Sequence, residues 1–425
     1  MLGAAAAGPM ALAWPSQSRA AARLARARVV VIGAGFGGAT AARELRRLSG
    51  GLLEVILIEP RAQFISCPLS NQVVAGFRPF TDLIRSYGRL DVDDGIICVR
   101  DWASAIDLPT KTVRLVRGGT LRYDKLVLAP GVEMMFEAVE GLRHAQETGQ
   151  ILQAWTGDEE IRALWRQLEA MRDGGVFALS IPEIPYRCPP APYERACLVA
   201  AYLKRHKPRS KVLVLDANPD VTAQPERFRA AWQGLYGGLI EYRAEHQVTG
   251  VDARTRTVRF DVQEDVRADV LNILPPMRAG AIAQRSGLAN INARWCEVDF
   301  PSFASIRDPA IHVLGDSIQT AAQMPKSAQM ANSHAKVAAL AVVAELSEAT
   351  PQTRLILAST CYSFIARNAA FHVETVHDYV PALRTFRLVP RAGAAAPAPS
   401  AQEAQAAWVW ARALWADTLG AQSSD

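Results

Sequence analysis

The chain has 425 residues, half of them hydrophobic and 21% charged, with a formal net charge of +5; this suits two or three packed domains and leaves little room for disorder outside the ends. Its lysines and arginines are scattered, without a basic stripe interleaved with aromatics, so nucleic acid is not an expected partner; the mild positive balance fits an acidic protein partner or a small anionic substrate, and equally an ordinary solvated surface. Six cysteines, Cys67, Cys98, Cys188, Cys197, Cys296 and Cys361, show neither CxxC nor CxxCH spacing, which argues against a zinc site, a thioredoxin motif and a haem attached to this chain.

Residues 1–27, "MLGAAAAGPMALAWPSQSRAAARLARA", are Ala-rich and apolar up to Trp14, with small-x-small sites such as Ala11-Leu12-Ala13. They read as an export signal without its basic leader, or as a disordered Ala/Arg tail. No later stretch approaches the roughly eighteen uninterrupted apolar residues of a membrane span, so no transmembrane segment is expected.

From Arg28 the chain reads "RVVVIGAGFGGATAARELRRL" and then "LLEVILIEP". A β-branched apolar run ends at Gly33, a helix-period stretch follows, and a second strand closes on Glu59, which places the glycine pattern inside a βαβ unit. Gly33 permits the tight turn, Gly35 lets the backbone approach a pyrophosphate, and Gly38 allows helix and strand to pack closely; Phe36 and Gly37 open the helix whose amino end faces the phosphates. Glu59, followed by Pro60, can accept from ribose hydroxyls and would repel a 2′-phosphate, so NADP is disfavoured. Two later stretches, "YDKLVLAPG" with Ala129, Pro130 and Gly131, and "IHVLGDS" with Gly315 and Asp316, are strands ending in tight turns. Together with the fingerprint they resemble the FAD domain of glutathione-reductase-like flavoproteins, which implies that Asp316 holds the ribityl chain. The expected fold is α/β, with an FAD-binding domain over 28–165 and 300–345.

The insert over 166–299 contains "GGVFALSIPEIPYRCPPAPYERACLVAAYLKRH" followed by "SKVLVLDANPD", a second strand, turn, helix, strand order. It reads as a second Rossmann-like domain whose turn lacks GxGxxG and is stiffened by three prolines, so NAD(P)H is not the expected electron donor. Residues 346–425 are expected to form a C-terminal interface domain, ending in the helix "AQAAWVWARALWADTLG". Trp408, Trp410 and Trp415 do not share one helical face there, and Arg412 is the only basic residue beside them, which favours docking on this chain or on a partner over lying on a membrane.

The stretches "VVVIGAGFGGATAA", "FISCPLSNQVVAGF", "YRCPPAPYERACLVAAYLKRHKPRSKVLVLDAN", "VLNILPPMRAGAIAQRSGL", "GDSIQTAAQMPKSAQMANSHAK" and "STCYS" resemble, in order, the flavoprotein subunit of flavocytochrome c sulfide dehydrogenase. The resemblance implies FAD bound through a thioether from Cys67, a redox-active disulfide between Cys188 and Cys361, and a carboxylate, Glu194, beside it. In that position Glu194 either moves the proton of hydrosulfide or simply favours the first turn of its helix. Lys326, at the start of "KSAQMANSHAK", is expected to point at the flavin pyrimidine ring; His334 stands where relatives usually carry Gln. The implied reaction is oxidation of hydrosulfide to sulfur or polysulfide. Hydrosulfide attacks one sulfur, leaving a persulfide and a thiolate, and electrons pass through the flavin to haem c on a separate cytochrome subunit. The same resemblance implies a periplasmic protein, although the twin-arginine leader is missing. Two other readings share the same residues: a sulfide:quinone oxidoreductase, and a flavoprotein accessory subunit of a thiosulfate-oxidising sulfur-carrier system.

Overall fold

The computed structural model describes residues 15–352 and 354–421. Its first sheet is built on the strand Arg28–Ile32, in which Val29, Val30 and Val31 are fully buried. A strand covered on both faces needs such a continuous apolar run. Glu54–Ile58 and Lys125–Leu128 flank it in parallel, Ile97–Val99 and Ile311–Val313 extend the parallel set, and two short antiparallel strands, Val298–Asp299 and Ala304–Ser305, complete seven strands. The chain therefore leaves this sheet after Leu128 and returns to it some 170 residues later. The helices Phe36–Leu48 and Ala328–Ser347 pack against each other beside the sheet.

The excursion builds a second parallel sheet, in the order Ile240–Arg243, Lys211–Asp216, Val176–Ile181, Val270–Ile273. The helix Ala191–His206 connects its two central strands. The right-handed parallel crossover of a nucleotide fold needs this element order. The chain crosses between the sheets at an antiparallel pair, Val132–Met134 with Met277–Ala279.

The remainder is an antiparallel meander, Ile356–Ala366, Ala369–Val380 and Thr385–Leu388, on which the terminal helix Ala401–Leu419 packs. Ser400 caps that helix by accepting from Glu403 N at 3.1 Å. Trp415 is fully buried, while Trp408 and Trp410 are half-buried, so the helix docks on its own chain. Among the described residues no helix is long and apolar enough to cross a membrane.

Of the two readings of 1–27, export signal or disordered tail, disorder does not hold from Pro15 onward. Pro15–Leu24 is helical, Leu24 and Ala27 are buried, and Arg23 pairs with Glu348. The helix packs on Ala328–Ser347, so its apolar positions have a partner that composition alone does not reveal. The small-x-small site Ala11-Leu12-Ala13 lies outside the described residues.

Candidate active site

One elongated cavity runs from the glycine turn to the meander. At the first end, Gly33 adopts φ +90°, and a Cβ there would stand 2.5 Å from Ala129 O. A Cβ on Gly38 would collide with Gly33 O, while one on Gly35 would meet nothing within 4 Å. Gly33 and Gly38 thus hold the turn together, and Gly35 faces open space. Phe36 and Gly37 continue this wall at the amino end of their helix. Glu59 accepts from Ala34 N (2.9 Å) through one oxygen and from Arg61 N (3.0 Å) through the other; with Pro60 it forms the neighbouring wall.

Ala129, Pro130 and Gly131 lie beside Gly315 and Asp316 at the ends of two paired parallel strands, and both turns line the cavity. Asp316 Oδ1 is buried without a hydrogen-bond partner, and Oδ2 lies 3.6 Å from Arg187 Nε. A buried carboxylate oxygen without a donor is costly, and a ligand hydroxyl would satisfy it. The residues therefore fit a dinucleotide such as FAD: a glycine turn with room for a pyrophosphate, a carboxylate at the end of the second strand, and an orphan acceptor farther along.

Cys67 lies on the same wall and accepts a hydrogen bond from Arg187. Arg187 is held by its own backbone as well, since its carbonyl accepts from Trp155 Nε1 at 3.1 Å. At the far end Cys188, Cys361 and Glu194 line the cavity together, although Cys361 comes from the meander and the other two from the second parallel domain. Cys188 has φ +58°, unusual for a residue with a Cβ, and its N–H donates to Lys326 O at 2.8 Å. Sparsely populated backbone of this kind clusters at functional sites. Both cysteines are thiols in the structure. Burial pushes the Cys188 thiol well up, and Cys361 and Glu194 push it further. Burial likewise raises Cys361, opposed by hydrogen bonds from Ser359 and Ser327.

Glu194 sits on the first turn of Ala191–His206, but its carboxyl does not serve that helix. Oε1 accepts from Phe364 N (3.0 Å) and Oε2 from Asn71 Nδ2 (2.7 Å). Burial pushes it up to about 7, partly offset by these two donors and by Arg195. A carboxyl poised there can take or release a proton near neutral pH.

Lys326 requires a correction. Its ammonium donates to Asp316 O (2.9 Å) and Ile318 O (2.5 Å) and lies 3.7 Å above the Trp295 ring. The side chain turns behind the Gly-Asp turn instead of toward the cavity, because those carbonyls and the indole face offer a buried cation its partners. Burial brings it down to about 7. The helix it precedes does present its amino end to the cavity through Ser327, Ala328 and Gln329, with Ser327 as the cap. His334, one helix face behind, accepts from Gly315 N at 3.3 Å and packs on Phe303; burial depresses it to about 3, so it braces the Gly-Asp turn as a neutral ring.

Sequence reasoning overlooked Asn71, Arg187 and Trp155, and gave Trp410 a docking role but no place in the site; all four line the cavity. Asn71 and Arg187 stand inside the quoted runs "PLSN" and "YRCPP"; only their neighbours drew notice. Trp410 donates to Gln329 Oε1 at 2.6 Å, bringing the terminal helix to the cavity.

In the second parallel domain, Asp216 ends the strand where a dinucleotide fold offers a carboxylate to ribose. Here it is fully buried and accepts from Tyr193 OH (2.7 Å), Tyr242 OH (3.0 Å), Asn218 N (2.9 Å) and Asn218 Nδ2 (2.7 Å). Its acceptor capacity is occupied by the protein.

Two family profiles match the chain: the central part of the sulfide dehydrogenase [flavocytochrome c] flavoprotein chain over 161–275, and the flavin-binding part of flavocytochrome c sulphide dehydrogenase over 354–419. The sulfide dehydrogenase [flavocytochrome c] flavoprotein chain of Chlorobaculum thiosulfatiphilum is 52% identical over 46 residues, 11% of this chain and 94% of that sequence. The mitochondrial sulfide:quinone oxidoreductase of Mus musculus is 22% identical over 296 residues, 68% of this chain; the matched region spans 65% of that relative's length. In fold, the sulfide:quinone oxidoreductase of Aquifex aeolicus superposes with a TM-score of 0.75 at 20% identity, covering 93% of this chain and 92% of that one. A chain of the covalent putidaredoxin reductase-putidaredoxin complex superposes with a TM-score of 0.64 at 20% identity, covering 82% of this chain and 81% of that one. On these matches the chain belongs to the flavocytochrome c sulfide dehydrogenase flavoprotein family.

Proposed function

We propose that this protein is an FAD-dependent sulfide dehydrogenase that oxidises hydrosulfide to sulfur or polysulfide and delivers electrons to a c-type cytochrome subunit. The observation that carries the reading is the meeting of Cys188, Cys361 and Glu194 at one end of a cavity whose other end is a dinucleotide turn. In the oxidised enzyme Cys188 and Cys361 form a disulfide. Hydrosulfide attacks one sulfur; the S–S bond breaks, a persulfide forms on the attacked cysteine, a thiolate leaves on the other, and the hydrosulfide proton passes to Glu194. A second hydrosulfide takes the outer sulfur of the persulfide and leaves as HSS−, so both cysteines become thiolates, and a bound flavin would supply the two-electron sink that returns this pair to the disulfide. Gly33, Gly35 and Glu59 hold the dinucleotide, Asp316 accepts from its ribityl hydroxyls, the amino end of Ala328–Ser347 offers positive potential, and Cys67 is the site of covalent attachment.

The internal use of Asp216 and the proline-stiffened turn before Glu194 support a donor other than NAD(P)H. The family's cytochrome-linked name supports haem c on a partner, and c-type haem is matured outside the cytoplasm, which supports a periplasmic location. A second reading, transfer of the electrons to a quinone, is favoured by the sulfide:quinone oxidoreductases among the relatives.

Anaerobic addition of sulfide tests the proposal. The flavin of the wild type should bleach, and that of Cys188→Ser and Cys361→Ser should stay oxidised with FAD retained. A variant that bleaches at the wild-type rate removes the disulfide step. Reduction of cytochrome c, compared with that of a short-chain quinone in detergent, separates the two acceptors.

A further inference from the structure

Asn71 stands between two charged residues of one helix. Arg195 Nε donates to Asn71 Oδ1 at 2.8 Å, and Asn71 Nδ2 donates to Glu194 Oε2 at 2.7 Å and to Ala191 O at 3.0 Å. A guanidinium carries donors only, so the amide oxygen must face Arg195 and the amide NH2 must face Glu194. Arg195 is itself fixed: it is almost fully buried, donates through Nη1 to Gln153 O (3.0 Å) and Asn272 Oδ1 (2.7 Å) and through Nη2 to Ala154 O (2.7 Å), and lies 4.8 Å over the Trp155 ring.

We propose that Asn71, locked in one orientation by Arg195, is a positioning residue: it aims the Glu194 carboxyl at the cysteine pair and supplies one of the two donors that steady its ionised form. The other donor, Phe364 N, belongs to the strand that carries Cys361. The titratable groups facing Glu194 are Arg195 and Cys197 on its own helix, Cys188 on the preceding loop and Cys361 on the meander. The helix Ser70–Val74 brings no titratable side chain, and Asn71 is its hydrogen-bond donor to Glu194. The three cysteines become anionic only at higher pH, which leaves Phe364, Asn71 and the Arg195 charge to oppose the burial that pushes Glu194 up to about 7. Losing one donor to a carboxylate changes its proton affinity by about tenfold, a shift of about one unit.

The consequence for turnover rests on the proton role proposed for Glu194; the positioning itself does not. In the purified holoprotein, the infrared carboxyl band that disappears in Glu194→Gln identifies this group and reports its titration directly. Its midpoint should lie near 7 in the wild type and about one unit or more higher in Asn71→Leu. In Asn71→Asp one oxygen still accepts from Arg195, and the other must share a proton with Glu194, so the midpoint should rise as well. That near-isosteric variant keeps the test open if the leucine variant fails to fold. Unchanged midpoints in the folded variants overturn the proposal, including the case in which only stability falls. If the band moves while the acid limb of flavin reduction by sulfide stays put, the positioning stands and the proton role of Glu194 fails.

Discussion

Replacing Gly35 with alanine should separate folding from cofactor retention. Gly35 has φ −73° and ψ −167°, which any residue adopts, and a Cβ there meets nothing within 4 Å. The stability cost is therefore about 1 kcal/mol or less, that of alanine at a helix amino cap. The added methyl nevertheless occupies the face the pyrophosphate must approach. Gly33→Ala is the contrasting case: φ +90° costs roughly 1–3 kcal/mol for a residue with a Cβ, and the new atom would lie 2.5 Å from a backbone carbonyl that cannot yield cheaply. Thermal unfolding followed by circular dichroism, together with the ratio of flavin to protein absorbance after purification, reads both quantities. Gly35→Ala should melt within a few degrees of the wild-type apoprotein and carry little flavin, while Gly33→Ala should lose stability and flavin together. A Gly35→Ala protein with full flavin would refute the assignment of this turn to the dinucleotide.

Lys326→Met tests the corrected position of that ammonium. Its folded pKa, near 7, lies below the unfolded value, so between pH 7 and 10 the unfolded chain holds more protons and wild-type stability rises with pH. The variant lacks this slope, and the difference in unfolding free energy between the two should change by a few kcal/mol at most across that range; parallel pH curves would mean that the lysine is solvated. Trp415→Ala removes a fully buried indole that donates to Ser66 Oγ at 2.9 Å, one residue before Cys67. It should cost about 3–5 kcal/mol, read from the denaturation midpoint, and a wild-type midpoint would mean that the terminal helix is not docked. Acid precipitation should release the flavin from Cys67→Ala and leave it on the wild-type polypeptide; equal release from both rules out the thioether.

Much of the scaffold was legible because its strands are buried on both faces. "RVVVI", "EVILI" and "KVLVLD" read as continuous apolar runs, and Gly33 and Gly38 follow the first of them at positions where a Cβ would strike backbone. The second nucleotide fold was visible for the same reason, and its missing glycines were visible as prolines. Residues that act through distant partners were not legible. Lys326 reads as a cation at a helix start, but Trp295 and the carbonyls of 316 and 318 decide where it goes. Asn71 contacts Glu194 and Arg195 across more than 120 residues of sequence, and no spacing rule connects them. The helix Pro15–Leu24 reads as tail from its alanines and arginines, and its packing on Ala328–Ser347, with Leu24 buried, is not visible in composition.

The central claim is that sulfide electrons enter through the Cys188 and Cys361 pair. It is tested most directly by mixing sulfide anaerobically with wild-type protein and with Cys188→Ser while recording the flavin spectrum. The account predicts rapid bleaching of the wild type and an oxidised spectrum in a variant that still holds its flavin. Equal bleaching in both would contradict it.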